Sequence, residues 1–352
     1  MKIGILMMHA LYSYEHAMHA YILQEFLKEH GHSAEIIDYR PAFLTERNKK
    51  FKGNINKRKK SYEAFLQEKL QLSETIRNKG ESYGLKGRYD FILTAGPGVF
   101  DGAVSGGLKP VYFACFDKTT PRAACAISIR ENFSALYEEE FLRKYLEYYD
   151  TVTACDEIIA ERLQHFSECT VGIQRNLFLL RTNEQYAKMA EAGKGRSKRQ
   201  KPYIFMVALN NEKSVRKVMV RLRSITGLGI VHNFAGSKTK KQIKQIAENN
   251  PEQMIAYAYN AEYIVTNSVD MAMLGILFEK KILLVARGSD RNRMLAFAAS
   301  YGMTECLLET KDDFKTIEQA TPDYTDIRER IAEDRKQMTE NLIKMLEAAE
   351  RR

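Results

Sequence analysis

The chain has 352 residues, 45% of them hydrophobic and 28% charged, which suits a globular protein of about two domains and excludes a disordered or fibrous one. Its formal net charge of +9 is concentrated in two segments: residues 46–60 hold eight Lys or Arg against one Glu, and residues 194–201 hold five with no acid. The remaining chain is slightly acidic. The two basic segments therefore suit local contact with phosphate groups, or they are solvated loops.

Short apolar segments alternate with helical patterns along most of the chain, as in parallel sheets built from βαβ units. Apolar residues spaced three and four apart between Met18 and Leu27 predict a helix after the first strand, and Gly31 is a suitable end for it. The predicted strands of the first half are 2–7, 34–37, 91–94, 111–114, 123–127 and 151–153.

The glycine-containing basic stretch 193–202 interrupts this alternation and predicts a connector. A second alternation follows, with strands at 203–209, 230–232, 263–266, 282–285 and 305–308 and helices near 211–224, 239–249, 270–279 and 291–301. The fold class is therefore α/β, with two Rossmann-like doubly wound domains, residues 1–192 and 203–320, that face each other across a cleft. Residues 321–352 predict a terminal amphipathic helix.

Several classes of protein and site are not favoured by the sequence. No apolar run approaches the roughly 18 to 20 residues that cross a bilayer, and no cleavable leader is evident, so we expect a cytoplasmic protein. The five cysteines form no C-x-x-C pair, which argues against disulfides and zinc knuckles. His16 and His19 are three residues apart, but no second ligand set accompanies them, so no metal site is expected. Nucleic-acid binding would depend on charge alone.

A set of short segments, in this order and spacing, carries a resemblance to a known family: Lys2–Leu6, Ser13-Tyr14, Ala20–Gln24, Gly31-His32, Ile36–Pro41, Tyr89–Leu93, Ala261–Ser268, Arg291–Leu295 and Tyr301–Met303. They resemble the polysaccharide pyruvyl transferase family, whose architecture is similar to that of the two-domain, GT-B-like glycosyltransferases. The most specific match is N-terminal, and with the later segments the likeness extends over most of residues 1–310.

The resemblance implies transfer of a pyruvyl group from phosphoenolpyruvate, as co-substrate, to two hydroxyls of a sugar in a cell-surface polysaccharide or its precursor. No further cofactor is implied. Such chemistry requires cations that hold a carboxylate and a phosphate, and an acid that protonates the methylene carbon of the donor.

The chain departs from the family pattern at its expected acid. Where the family usually has Phe-His-Gly after the Thr-Asn-Ser segment, this chain has Val269, Asp270 and Met271. An ordinary Asp is protonated only about one part in a thousand at pH 7, so Asp270 would need desolvation or a neighbouring anion to serve as the acid. His9 and His16, which follow the first strand, are alternative acids.

Three more family positions are changed, since Gly96-Pro97-Gly98 replaces Ser-Asp-Gln, Cys155-Asp156 replaces Arg-Glu, and Glu15-His16 replaces Gly-Ala. The loss of the Arg removes one expected anion ligand, which leaves Arg293 as the principal one. The candidate donor-binding residues are Asn267, Ser268, Arg291 and Arg293. The candidate acceptor-side residues are Ser13, Tyr14, Glu15, Gly96 and Gly98.

Local structure is an alternative explanation for several of these residues. Ser268 and Asn267 precede a helix and could simply cap it, Arg293 could be an exposed residue at a helix start, and the loop at Gly96 fits neither known phosphate-binding glycine motif.

The expected partner is a sugar or a lipid-linked oligosaccharide, with residues 46–60 near an anionic membrane surface on its cytoplasmic side. Two other functions remain open: a transferase that uses a nucleotide sugar with Asp270 as base, and a binding protein that has lost catalysis. Homo-oligomerisation and the acceptor sugar are not specified by the sequence.

Overall fold

The computed structural model describes residues 1–50, 55–129, 136–193, 201–209, 213–233, 243–245, 250–287, 291–308 and 322–351. Contacts divide the chain into two compact units. The first comprises Met1–Phe51, Tyr62–Leu180 and Asp334–Arg352, and the second comprises Lys52–Ser61 and Arg181–Glu333. Each unit contains one six-stranded parallel sheet with intervening helices, which confirms the predicted α/β class with two Rossmann-like domains.

The first unit begins with a strand, as the sequence predicts. Its elements are β1 (Lys2–Leu6), α1 (Tyr14–Glu29), β2 (Ser33–Ile36), α2 (Ala42–Lys49), α3 (Ile55–Lys69), α4 (Lys79–Ser82), β3 (Phe91–Pro97), α5 (Gly102–Ser105), β4 (Arg122–Ser128), α6 (Leu136–Leu146), β5 (Thr151–Ala154), α7 (Glu157–Gln164) and β6 (Val171–Ile173). The residues of α3 before Tyr62 belong to the second unit. The strand order is β2-β1-β3-β4-β5-β6. Ile5 pairs with Ile36 on one side and Leu93 on the other, so β1 is an interior strand.

The second unit repeats the alternation with a different strand order. Its elements are α8 (Asn183–Gly193), β7 (Tyr203–Val207), α9 (Lys213–Thr226), β8 (Gly229–His232), β9 (Ile243–Gln245), α10 (Pro251–Tyr259), β10 (Tyr263–Thr266), α11 (Val269–Leu277), β11 (Lys281–Val285), α12 (Arg291–Ser300), β12 (Leu307–Leu308) and α13 (Tyr324–Glu350), the last of which continues into the first unit. The strand order is β12-β11-β10-β7-β8-β9.

Both sheets have helices over them because their strands are apolar on both faces. In β7 all five residues are buried, and in β11 every residue after Lys281 is buried. A strand with no polar face must be covered on both sides, which is the usual arrangement of parallel sheets. The core of each unit is therefore its sheet and the inner faces of the adjoining helices.

Some predicted elements were wrong. Residues 111–114 do not form a strand, because Pro110–Phe113 is a 3-10 helix with proline at its start, and Ala114 is left-handed at φ 52°. The predicted helix at 239–249 is wrong at 243–245, which form β9, and 239–242 and 246–249 lie outside the described residues. The three-residue strands β6 and β9 were not predicted, and Thr304–Cys306 is a 3-10 helix that shortens the predicted last strand to Leu307–Leu308.

The two units are not bounded as the sequence predicted, because segments that are close in sequence belong to different units. α8 was expected with the first domain, yet it packs on α10 in the second unit, where a Cβ on Gly193 would lie 2.6 Å from the carbonyl oxygen of Glu252. α13 is divided between the units after Glu333.

Of the two basic segments, residues 51–54 and 194–200 lie outside the described residues. In the described part of the chain, no helix has the length and apolarity to span a membrane.

Each sheet has one point at which successive connections depart in opposite directions. In the first unit it lies between β1 and β3, and in the second between β7 and β10. Ligands of doubly wound sheets bind at such a point, beyond the carboxyl ends of the strands. These two edges are therefore where the candidate site residues have to be assessed.

Candidate functional site

His9 lies just beyond β1, at the edge predicted to hold ligands, but its ring is fully buried. Its Nε2 is 2.8 Å from Oδ1 of Asp38, and its Nδ1 is 3.2 Å from the carbonyl oxygen of Met7. Both neighbours are hydrogen-bond acceptors, so the ring satisfies both contacts only when both nitrogens carry protons. His9 is thus held inside the loop through both ring nitrogens, with neither nitrogen directed at an open site.

Asp38, which follows β2, is the centre of a charged network. Burial raises the pKa of Asp38, but hydrogen bonds from His9, Thr75 and Arg40 outweigh burial and hold that pKa well below its ordinary range. Arg40 continues the network with a two-pronged contact to Glu63 on α3, at 2.7 and 2.8 Å. The alternating charges keep the buried groups paired.

Tyr12 connects this network to the loop that follows β1. Its hydroxyl donates to Glu63 over 2.8 Å, and its backbone N–H donates to the side chain of Asn48. Asn48 in turn donates to the carbonyl oxygen of Ala10. The loop between β1 and α1 is therefore fixed from both sides by side chains of α2 and α3.

The acceptor-side candidates lie where this loop enters α1. Ser13 occupies the N-cap position, but its hydroxyl donates to the Glu15 carboxylate instead of accepting from the helix. Tyr14 and Glu15 are buried, whereas His16 is only partly buried. Both ring nitrogens of His16 are nonetheless buried, so its exposed fraction lies elsewhere on the residue.

Gly96 and Gly98 are brought against the same loop. Both have left-handed backbones, at φ 81° and 83°. A Cβ on Gly96 would lie 2.8 Å from Cε of Met7, and one on Gly98 would lie 2.8 Å from Sδ of Met8. The close approach and the positive φ explain glycine at both positions. The structure therefore gathers the acceptor-side candidates at the switch point of the first unit.

Asn267 and Ser268 follow β10 at the switch point of the second unit, and local structure uses both side chains. Asn267 Oδ1 accepts from the backbone N–H of Leu209 over 2.8 Å, and Ser268 Oγ accepts from the N–H of Met271 as the N-cap of α11. Asn233, after β8, similarly accepts from Ala208. The two asparagines fix the loop that leaves β7, so they shape this edge.

Asp270 stands in the first turn of α11 and is partly exposed. A carboxylate there is favoured by the helix dipole, because the first turn carries partial positive charge. The helix N-terminus therefore favours the charged form of the Asp270 carboxylate. Asp270 therefore suits a base better than an acid.

Three arginines lie at the carboxyl end of β11, which is the neighbour of β10. Arg287 follows the strand, and Arg291 and Arg293 begin α12, the first exposed and the second partly exposed. Residues 288–290, between them, lie outside the described residues. This edge thus offers guanidinium groups beside the start of α11, a combination that suits a carboxylate or a phosphate.

The network around Asp38 was missed by sequence reasoning. Asp38 and Arg40 stand just after a predicted strand, which is a usable signal, but Glu63 and Tyr12 have no pattern that connects them. No group of three or more His, Cys, Asp or Glu among the described residues is arranged to hold a metal ion.

Comparison with solved structures supports the fold. UDP-GlcNAc 2-epimerase from Neisseria meningitidis, solved with UDP-GlcNAc, is similar at a TM-score of 0.58 and 12% identity, with 98% of this chain and 99% of that chain covered. UDP-N-acetylglucosamine 2-epimerase from Rickettsia bellii is similar at a TM-score of 0.57 and 10% identity, with 99% of this chain and 96% of that chain covered. A spinosyn rhamnosyltransferase is similar at a TM-score of 0.52 and 10% identity, with 99% of this chain and 100% of that chain covered. At such identities the likeness concerns the fold alone.

No curated protein matches the chain significantly. The family model described as polysaccharide pyruvyl transferase matches residues 17–289, which include most of α1, strand β3 of the first switch point, the whole second switch point and the carboxyl end of β11. The match covers more than half of the chain and agrees with the two parallel sheets described above. The chain belongs to the polysaccharide pyruvyl transferase family.

Proposed function

We propose that this protein transfers a pyruvyl group from phosphoenolpyruvate to two hydroxyls of a sugar, which forms a cyclic ketal on a cell-surface polysaccharide or its precursor. The observation that carries the proposal is the cationic edge of the second unit, where Arg287, Arg291 and Arg293 follow β11 and α11 begins next to them. Phosphoenolpyruvate has a carboxylate and a phosphate, both of which guanidinium groups bind with two parallel hydrogen bonds.

The chemistry sets the roles that residues must fill. The donor methylene carbon gains a proton, two sugar hydroxyls form bonds to the adjacent carbon and lose their protons, and the bond from that carbon to the phosphate oxygen breaks. One of the two hydroxyl protons returns to the acid that protonated the methylene carbon, and the other leaves with the phosphate. No electron is transferred, so the proposal needs no cofactor beyond phosphoenolpyruvate as co-substrate.

We assign donor binding to Arg293 and Arg291, with Asn267 and Ser268 as residues that shape the edge. His16 is preferred to His9 as the acid, because both ring nitrogens of His9 are held inside the fold by Asp38 and the carbonyl oxygen of Met7. Asp270 would repel an anionic donor unless the arginines neutralise it. Ser13, Tyr14, Glu15, Gly96 and Gly98 are assigned to the acceptor side.

For the acceptor we propose a sugar or a lipid-linked oligosaccharide, handled on the cytoplasmic side of a membrane. The described part of residues 46–60 supports this, since α2 ends and α3 begins with exposed lysines, among them Lys49, Lys59 and Lys60. Nucleic acid is not proposed as a partner, and self-association is left to measurement.

A second candidate is sugar transfer from a nucleotide sugar with Asp270 as the base. The observation in its favour is Asp270 itself, a partly exposed carboxylate that stands at the family's expected acid position. A third is sugar or donor binding without turnover, which the replaced acid and the buried His9 favour.

The test is phosphate release from phosphoenolpyruvate in the presence of polysaccharide or lipid-linked acceptor fractions, with mass spectrometry of the acceptor. The proposal expects release that requires both substrates, and an acceptor heavier by one pyruvyl ketal. Release of nucleoside diphosphate from a nucleotide sugar, with no reaction of phosphoenolpyruvate, would establish the second candidate. Binding without either reaction would establish the third.

A further inference from the structure

The outer face of α9 is a basic surface for which the proposed reaction has no use. The helix contains Lys or Arg at five of its 14 positions and no Asp or Glu. We propose that this face binds the surface of an anionic phospholipid bilayer. The inference does not depend on which donor the protein uses.

The helix separates its two faces completely. Val215, Val218, Met219 and Leu222 are buried against the sheet, where α9 packs on β7 and β10. Lys213, Lys217, Val220, Arg221 and Ser224 are exposed. At 100° per residue these five positions fall within about one third of the helix circumference, opposite the buried ones.

Lys213, Lys217 and Arg221 are displayed on this face by the fold. They are exposed, and the structure gives none of them an ion pair with a described acidic side chain. Three cations on one stripe attract a surface of negative charge, and each basic residue near an anionic leaflet contributes on the order of a five-fold increase in affinity.

Val220 distinguishes a lipid surface from other polyanions. Its side chain is 59% exposed in the middle of the cations, and Tyr83 is the other exposed large hydrophobic side chain in the described part of the chain. An aliphatic group gains by entering the interface of a bilayer, whereas the phosphates of a nucleic acid offer it no apolar partner.

The vesicle test compares this face with two exposed lysines of α13. The full chain is sedimented with vesicles of phosphatidylcholine alone or with phosphatidylglycerol, at low and high salt. The variants are Lys217→Ala with Arg221→Ala, Val220→Ser, and a matched control, Lys336→Ala with Lys344→Ala, which removes the same charge from α13. All five positions are exposed, and thermal unfolding verifies that each variant remains folded.

We expect salt-sensitive binding to the anionic vesicles only, about 30-fold weaker in the α9 double variant, a few-fold weaker in Val220→Ser and little changed in the α13 control. Wild-type binding by the α9 double variant would overturn the proposal. So would an equal loss in both double variants, since net charge would then be responsible. If the protein bound duplex nucleic acid more tightly than vesicles, and Val220→Ser did not weaken that binding, the ligand of this face would be nucleic acid and the proposal would be wrong.

Discussion

Single residues at the edge of the first sheet have very different surroundings although they are close in sequence. His9 is fully buried between Asp38 and a backbone carbonyl, while His16, in the first turn of α1, is partly exposed as a residue although its ring nitrogens are buried. The sequence placed both after the first strand and could not rank them, because the burial of His9 depends on β2 and α3, which are distant in the chain. The fold therefore assigns a structural role to His9.

This difference predicts opposite results for two substitutions. His16→Asn should lower the turnover of phosphoenolpyruvate by about 100-fold or more, the usual effect of losing a general acid, without changing stability. His9→Asn should lower the free energy of unfolding by about 1–3 kcal/mol, because the buried Asp38 carboxylate loses one of its hydrogen-bond partners and keeps only Arg40 and Thr75. Asp38→Asn should reproduce the stability loss. If His9→Asn were inactive but fully stable, His9 would be the acid and its structural role would be wrong.

Asp117 predicts a pH dependence of stability. Burial raises its pKa, but hydrogen bonds from Gly87, Thr119 and Thr120 outweigh burial and hold the pKa well below the ordinary value. A carboxyl with a lowered pKa stabilises the fold above its unfolded pKa of about 4, and the contribution is lost as pH falls further.

Asp117→Asn should therefore be less stable than the wild type at pH 7 by an amount that is constant down to about pH 5 and shrinks below about pH 4. Urea unfolding of both proteins across this range measures the difference, with Asp326→Asn, at an exposed position in α13, as the matched control. A difference that does not change with pH would show that the Asp117 charge is not what stabilises the turn.

At the scale of elements, the longer strands were predictable and the irregular segment before β4 was not. The apolar run 111–114 has the composition of a strand, yet its carbonyls are bonded to Arg122, which donates to Phe113 and Ala114 over 3.2 and 3.0 Å and also to Asp117. A side chain that replaces a neighbouring strand as hydrogen-bond partner leaves no periodic signal in the sequence.

Arg122→Met should destabilise the first unit by about 3 kcal/mol or more, because it leaves several buried carbonyls without a donor while preserving most of the side-chain volume. Chemical denaturation measures the loss. Arg122→Lys, which keeps a charge but lacks the planar set of donors, should recover only part of it. Full recovery by lysine would mean that charge alone is required.

At the scale of the whole molecule, the units are not continuous in sequence. The end of α13 belongs to the first unit, where Gln174 donates to the carbonyl oxygen of Met338 and Arg335 donates to that of Leu179. The sequence predicted the helix from its amphipathic pattern, but a pattern does not identify the surface that a helix will cover. The assignment of α13 therefore required the structure.

The contact of α13 with the first unit can be measured. Leu342 is fully buried, so Leu342→Ala should cost about 2–5 kcal/mol of unfolding free energy. Lys344→Ala, two residues away and exposed, is the control and should have a negligible effect. Equal stability of the two variants would show that this part of the helix does not contribute to the core.

Much of the candidate site was predictable at the level of strand ends. His9, Gly96, Ser268 and Arg293 each follow a predicted strand, and the structure places them at the carboxyl edges of the two sheets. The roles of their side chains were not predictable, since capping by Ser268 and the Asn267 contact with Leu209 depend on exact local geometry. The donor assignment consequently rests most on the arginines.

The most direct test of the central claim is isothermal titration of the full chain with phosphoenolpyruvate, beside UDP-GlcNAc, for the wild type, Arg293→Ala and Lys281→Ala. Lys281→Ala is the matched control, because it removes one cation from the start of β11, whereas Arg293 lies beyond the carboxyl end of that strand. Lys281 pairs there with Glu262. We predict saturable phosphoenolpyruvate binding that is lost in Arg293→Ala and kept in Lys281→Ala. Binding of UDP-GlcNAc without phosphoenolpyruvate, or phosphoenolpyruvate binding unaffected by Arg293→Ala, would contradict the account.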